Sequence, residues 1–132
     1  MRRNNPGYIQ IARYIVGLSW VYHGFFPKLY HIVPLEKLMT GSAGFSAEVS
    51  DLITRSAGIG EIIFGLCLLV FYKNKHIVIL NILALLGLLL AVVVMQPQLL
   101  IEAFNPVTTN LPLIGLSFIW LKEIKLQNNR HL

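Results

Sequence analysis

The segment Ile77–Met95 reads IVILNILALLGLLLAVVVM and is apolar at every position except Asn81. A helix of this length, at a rise of about 1.5 Å per residue, matches the hydrocarbon core of a bilayer, which is roughly 30 Å thick. The whole chain has 132 residues, of which 55% are hydrophobic and only 13% are charged. The segment therefore predicts a transmembrane helix, and the composition predicts an integral membrane protein.

Three further segments extend this prediction, although each is interrupted or short. They are Tyr8–Tyr30, which contains Arg13, His23 and Lys28; Ser56–Tyr72, which contains Glu61; and Leu111–Leu121, which needs extra turns to span. Together the four segments predict an all-α fold, an integral membrane four-helix bundle that forms a single domain over residues 1–132. Pro112 is expected to kink the fourth helix or to mark a thinned boundary of the bilayer. The short connection Lys73–Lys75 is expected to make helices two and three antiparallel neighbours.

The net charge of +5 reports the orientation of the chain rather than a nucleic-acid partner. Basic residues collect at one end of the predicted helices: Arg2, Arg3, Lys73, Lys75, His76, Lys122, Lys125 and Arg130. The opposite connections carry Glu36, Lys37, Glu48, Asp51 and Glu102. Because basic residues collect on the cytoplasmic side of a membrane, both termini are predicted to be cytoplasmic. We expect a multi-pass protein of a bacterial inner membrane that contacts the lipid bilayer and no nucleic acid.

Glu61 interrupts an otherwise apolar segment. A charged group at the centre of a bilayer costs at least about 2.5–3.5 kcal/mol, so it normally faces a bundle interior and has a partner. Gly58 precedes Glu61 by three residues and Gly65 follows it by four, so the three share one face of the second helix. Small residues allow helices to approach closely in lipid. We therefore predict that this face packs against another helix.

The first helix carries a complementary face of small and cationic residues. Arg13, Gly17, Gly24 and Lys28 follow one another at intervals of four, seven and four residues, which return to one side of a helix. We predict that Gly17 and Gly24 are helix-packing positions and that this face turns toward the glycines of helix two. Arg13 and Lys28 would then turn toward the bundle interior.

A polar core around Glu61 is the candidate ligand-binding site. Arg13 and His23 are its predicted leading partners, because His23 lies at a similar depth and the side chain of Arg13 is long. Lys28 ranks behind them because it can extend to the interface. The alternative is a buried cluster that only fixes helix register. Catalytic residues stay undetermined, and no metal site is predicted because no second histidine or cysteine lies at ligand spacing within the spans.

Two further residues have mainly structural interpretations. Asn110 stands two residues before Pro112 and is expected to cap the fourth helix, although it also remains a candidate for the polar core. Cys67 is the only cysteine, so no intramolecular disulfide can form. A disulfide-exchange enzyme acting alone is therefore disfavoured.

The order of these motifs resembles the DoxX superfamily of small four-helix membrane proteins. The resemblance rests on Arg13, on the run Trp20–Lys28 (WVYHGFFPK) and on the run Glu61–Leu69 (EIIFGLCLL). The Tyr-His-Gly-x-x-Pro-Lys form at residues 22–28, together with Asn-Pro and Asn-Leu-Pro at residues 105–106 and 110–112, is similar to the DoxX-like subgroup. Matching positions are Arg13, His23, Gly24, Lys28, Glu61 and Gly65. The resemblance implies a four-helix bundle and an association with redox membrane complexes, since the superfamily includes a subunit of a thiosulfate:quinone oxidoreductase.

These observations support three hypotheses of function. In the first, the chain is an accessory membrane protein, not an enzyme on its own, whose polar core around Glu61 binds a small amphiphile or a partner subunit. In the second, it is a membrane subunit of a quinone-linked oxidoreductase, in which Glu61, His23 and Arg13 hold the quinone head group and handle its protons. In the third, it is a structural bundle that forms homo-oligomers through its small-residue faces. A quinone is the only cofactor that these hypotheses name.

Overall fold

The computed structural model describes residues 7–32 and 34–132, apart from the side chain of Leu35. Within these ranges the chain is all-α, as predicted, and contains no strand. The helices are α1 (Gly7–Phe25), α2 (Pro34–Ser42), α3 (Ala47–Val70), α4 (Lys75–Met95) and α5 (Pro106–Arg130). A π-helical turn, Phe26–Tyr30, continues α1, and a 3₁₀ turn, Pro97–Ile101, follows α4. Arg2 and Arg3, which entered the charge prediction, lie outside the described residues.

Capping residues explain two helix starts that differ from the prediction. Ser46 accepts a hydrogen bond from the Val49 N–H at 3.4 Å, so α3 begins at Ala47 and not at Ser56. Asn105 accepts hydrogen bonds from the N–H groups of Val107 and Thr108 at 3.0 and 3.1 Å, immediately before a proline in the first turn of α5. The expected capping role of Asn110 is therefore wrong. Asn110 lies inside α5, as does Pro112.

The outer surface of the helices is apolar. Both α3 and α4 are long and apolar enough to cross a membrane. On α4, Leu83, Leu90 and Val94 expose 60%, 62% and 73% of their surface. Water would penalise such a continuous apolar surface, whereas lipid chains would not. The surface is therefore suited to contact with acyl chains.

Close glycine contacts join α1 to α3. A Cβ atom at Gly24 would lie 2.5 Å from the carbonyl oxygen of Gly58, and one at Gly65 would lie 2.6 Å from that of Gly17. Only glycine permits this approach, because any larger side chain would overlap the opposite backbone. The two pairings also set the antiparallel register, in which residues near the start of α1 lie beside the end of α3.

The remaining long helices pack in a different order from the one predicted. The helix α4 packs along α5, and α5 packs along α1, whereas α3 and α4 have few residues in contact despite the short turn between them. The helix α4 runs back antiparallel to α3, as expected, since Gln96 at its end hydrogen-bonds to Ser42, which precedes α3. The two helices nevertheless do not pack closely along their length. The glycine contacts direct α3 onto α1. On α4, Asn81 accepts a hydrogen bond from Trp20 of α1 and donates one to Ser117 of α5, and these bonds direct α4 toward α1 and α5.

The two ends of the helix assembly are packed differently. At one end, which we call the closed half, Leu68, Tyr72, Trp120 and Ile124 pack together with the first turns of α1. The Trp120 indole N–H donates to the Tyr72 carbonyl at 2.8 Å, which ties α5 to the end of α3. At the other end, which we call the open half and which contains Lys28, Glu36 and Glu61, the helices leave a cavity.

Candidate functional site

Lys28 lies between two carboxylates in the open half. Its Nζ is 2.9 Å from Glu36 Oε1 on α2 and 3.3 Å from Glu61 Oε2 on α3. The three side chains are only 12%, 19% and 13% exposed, respectively. Apart from this contact with Lys28, Oε2 of Glu61 has no hydrogen-bond partner among the described residues. Two acids therefore share one base, and the Glu61 carboxylate is incompletely satisfied.

Pro27 explains how Lys28 reaches this position. Proline has no N–H, so the carbonyl of His23, four residues earlier, loses its usual helical partner. The helix widens there into the π-helical turn Phe26–Tyr30. The ammonium of Lys28 lies 3.5 Å from the freed His23 carbonyl oxygen and donates to it. The Tyr-His-Gly-x-x-Pro-Lys motif thus supplies both the proline that interrupts the helix and the lysine whose ammonium donates to the freed carbonyl.

The predicted pairing of Arg13 with Glu61 is wrong. Arg13 Nη1 donates to the Leu69 carbonyl at 3.1 Å, and its guanidinium lies 3.9 Å from the centroid of the Tyr72 ring. Leu69 follows Glu61 by eight residues, or about 12 Å along the helix. In the antiparallel register Arg13 therefore reaches the end of α3, where helix carbonyls lack intrahelical donors. It stabilises that helix end in the closed half.

A cavity of about 360 Å³ lies next to the Lys28 ion pairs. Four candidates from the predicted polar core line it, namely Glu61, His23, Lys28 and Asn110, whereas Arg13 does not. Its other walls are mainly apolar and come from α4, α5 and the connection between them, including Leu85, Leu88, Ala91, Val92, Leu99 and Leu113. The site thus combines a charged end with an apolar body.

His23 and Asn110 contribute to the cavity without pairing with Glu61. The His23 ring meets the Tyr22 ring edge to face at 6.0 Å, and it makes no hydrogen bond with Glu61 in the described part of the chain. The prediction that His23 is a leading partner of Glu61 is therefore wrong. Asn110 Nδ2 donates to the Leu85 carbonyl at 3.3 Å, which links α5 to α4 at the cavity wall.

The helix α2 covers one end of the cavity. Glu36 and Met39 of this helix line the cavity. Hydrogen bonds between Thr40 and Ser50, and from Gln96 to Ser42, tie α2 to α3 and to the end of α4. From the sequence this region is expected to be a connecting loop, and Glu36 is not among the predicted site residues. Pro34 at the helix start and Glu36 in the first turn were the available signals.

A second missed feature is a buried hydrogen-bond chain across three helices. The Trp20 indole N–H donates to Asn81 Oδ1 at 2.7 Å, and Asn81 Nδ2 donates to Ser117 Oγ at 2.7 Å. Ser117 in turn donates to the Leu113 carbonyl at 2.7 Å. Asn81 and Ser117 are fully buried. The signal was Asn81 itself, the single polar residue of Ile77–Met95, but its partners depend on tertiary packing.

The family model described as the DoxX-like family matches residues 17–118, which include every residue that lines the cavity. The chain belongs to the DoxX-like family. The resemblance seen in the motifs is thereby confirmed, and Arg13 lies just outside the matched region. Among curated proteins and solved structures, none matches the chain. Family membership and the two apolar helices make this a small membrane protein in contact with lipid.

Proposed function

We propose that this DoxX-like protein is an accessory membrane protein that binds a small amphiphile in the cavity of the open half. The head group would lie at Lys28 and Glu61, and the apolar body would lie along α4 and α5. The observation that carries this proposal is the cavity itself, about 360 Å³ in volume, with apolar walls and a charged end. Small-molecule sites in proteins are typically concave, mostly apolar and about 300–1,000 Å³ in volume, with a few polar groups that fix orientation.

The charges at the polar end favour a head group that donates hydrogen bonds. Lys28 is shared between Glu36 and Glu61, so two acids face one base. Oε2 of Glu61 is buried and, apart from its contact with Lys28, has no hydrogen-bond partner among the described residues. An ionisable group within a membrane protein is expensive unless it serves a site or a partner. A hydroxyl or amine on the ligand would supply the missing donor, whereas an anionic head group would add repulsion.

The test is to extract the protein with its native lipids and to identify the small molecules that copurify by mass spectrometry. Ala91→Phe places a ring in the cavity, whereas Leu90→Phe adds the same ring at an adjacent, lipid-exposed position. We expect an amphiphile to copurify with the parent protein and with Leu90→Phe, and to be lost from Ala91→Phe. If folded Ala91→Phe and the parent protein carry the same molecules in equal amounts, the cavity is not the binding site.

We further propose that α1, α3, α4 and α5 all cross the membrane as a four-helix bundle. These helices are 19, 24, 21 and 25 residues long, which suits a bilayer. The basic residues near the turn between α3 and α4 and at the end of α5 favour a cytoplasmic closed half in a bacterial inner membrane. In a Cys67→Ser background, Ser42→Cys should react with an impermeant maleimide from outside and Asn74→Cys only from inside. Outside labelling of Asn74→Cys would reverse the orientation.

The quinone-linked alternative shares the same cavity. His23 and Lys28 line its polar end and would supply the hydrogen-bond donors that a quinone carbonyl requires. Recovery of a quinone from the native-lipid extract, lost again in Ala91→Phe, would favour a membrane subunit of an oxidoreductase. Recovery of a non-redox amphiphile would favour the accessory role. A partner subunit or a homo-oligomer would appear in the same preparation as a larger mass.

A further inference from the structure

Two side chains of α1 separate the cavity from the lipid-facing surface. Ser19 and His23, one helical turn apart, line the cavity. They also line a groove of about 420 Å³ on the surface of α1, which is completed by Tyr14, Ile15, Leu18 and Tyr22. The wall between the cavity and the surface groove is therefore only one layer of side chains thick at this point.

We propose that the cavity is loaded sideways from the bilayer, between Ser19 and His23, and that its ligand is a membrane-resident amphiphile with a single chain. This inference rests on the proposed function, because it concerns the same cavity.

The groove has the chemistry of a surface that a lipid chain would follow. Ile15, Leu18 and Tyr22 are exposed, and in a bilayer their apolar surfaces would contact acyl chains. Ser19 Oγ donates to the Ile15 carbonyl at 2.5 Å, so its polar group is satisfied within its own helix. Ser19 therefore places a small side chain at the wall, and its hydroxyl proton already has a hydrogen-bond acceptor. An apolar chain could pass it without stripping water from a polar group.

Two other boundaries of the cavity are covered. At the polar end, α2 covers the cavity and is held by its hydrogen bonds to Ser50 and Gln96. Toward the closed half, the core that includes Trp20, Leu85 and Ile114 fills the space between the helices. Ser19 and His23 form the boundary that the cavity shares with the lipid-facing groove. The cavity volume of about 360 Å³ lies at the low end of the range for ligand sites, which suits one chain better than two.

The experiment measures how fast an amphiphile reaches Trp20, which lines the cavity. In a Trp120→Phe background Trp20 is the only tryptophan, and bromo-undecanol, a single-chain alcohol that enters bilayers, serves as the quencher. The protein is reconstituted into lipid nanodiscs, and quenching is followed by stopped flow. Ser19→Phe should slow quenching by about tenfold and Ser19→Gly should accelerate it, because the side chain at the wall gates entry.

The matched control is Ser56→Phe, which adds the same ring to an exposed position on α3 that does not line the cavity. It should leave the quenching rate unchanged. If neither Ser19 variant changes the rate while equilibrium quenching persists, the side route is wrong and the binding site survives. If the Trp120→Phe protein shows no saturable quenching at all, the proposed function itself fails.

Discussion

The closed half and the open half each contain a partly buried cation, but the two cations have different partners. In the closed half, Arg13 covers a helix end and stacks on Tyr72, while Leu68 and Trp120 are fully buried. In the open half, Lys28 faces two carboxylates beside a cavity. A cation that donates to backbone carbonyls stabilises a packed helix end. A cation shared by two carboxylates leaves one negative charge without a full counter-charge beside the cavity. This contrast places the tightly packed core in one half and the proposed binding site in the other.

The largest effect should come from disturbing the glycine contact between α1 and α3. A Cβ atom at Gly65 would lie 2.6 Å from the Gly17 carbonyl oxygen and 2.8 Å from Val21 Cγ2, whereas one at Gly60 meets nothing within 4 Å. We expect Gly65→Ala to cost about 3 kcal/mol by overpacking against backbone. Gly60→Ala, on the same helix, should be neutral or slightly stabilising. Thermal unfolding in matched detergent measures both, and equal melting temperatures would disprove the contact.

An intermediate effect should distinguish Lys28 from its acidic partners. Lys28→Met would leave Glu36 and Glu61 facing each other without a cation, which we expect to cost about 2–3 kcal/mol. Glu61→Gln leaves Lys28 paired with Glu36 and should cost less than about 1 kcal/mol. The unfolding free energies of the two variants should therefore differ, and Glu61→Gln added to Lys28→Met should restore part of the loss. If Glu61→Gln is the more damaging change, Lys28 is not the shared cation.

The smallest effect should come from Arg13, because it is only partly buried. Arg13→Lys keeps the charge but loses the planar guanidinium that donates to Leu69 and stacks on Tyr72. We expect a loss of about 1 kcal/mol in unfolding free energy and no change in ligand affinity. Amphiphile binding measured on the same sample is the control, because it distinguishes a stabilising role of Arg13 in the closed half from a binding role in the open half. A large loss of affinity with unchanged stability would place Arg13 in the site.

Periodicity in the sequence was sufficient to find the faces that meet. Spacings of three, four and seven residues identified Gly17, Gly24, Gly58 and Gly65, and the structure places all four where α1 meets α3. Such spacing gives the side of a helix on which a residue lies but not the register between two helices. The antiparallel register brings Arg13 to Leu69, so Glu61 takes Lys28 instead, and no pattern within one helix contains that information.

The remaining errors have equally local causes. Both Asn105 and Asn110 precede a proline, but only Asn105 is followed by it directly, and this is the position that caps α5. The helix that carries Glu36, α2, escapes prediction from sequence because it has only nine residues and depends on contacts with other helices. The sequence also marked Asn81 as an exception without indicating that Trp20 and Ser117 would hydrogen-bond to it. The spacing of residues along the sequence predicts which of them share a helix face. Which residues meet across two helices depends on tertiary packing.

The two tryptophans report on the two halves and provide the most direct test. Trp20 lines the cavity, and Trp120 is fully buried in the closed half. Equilibrium quenching by bromo-undecanol in lipid nanodiscs should be compared between Trp120→Phe, which leaves Trp20, and Trp20→Phe, which leaves Trp120. Quenching of Trp20 should be saturable and should be abolished by Ala91→Phe, and Trp120 should be unaffected. Equal quenching of both tryptophans, or unsaturable quenching of Trp20, would contradict a ligand site confined to the open half.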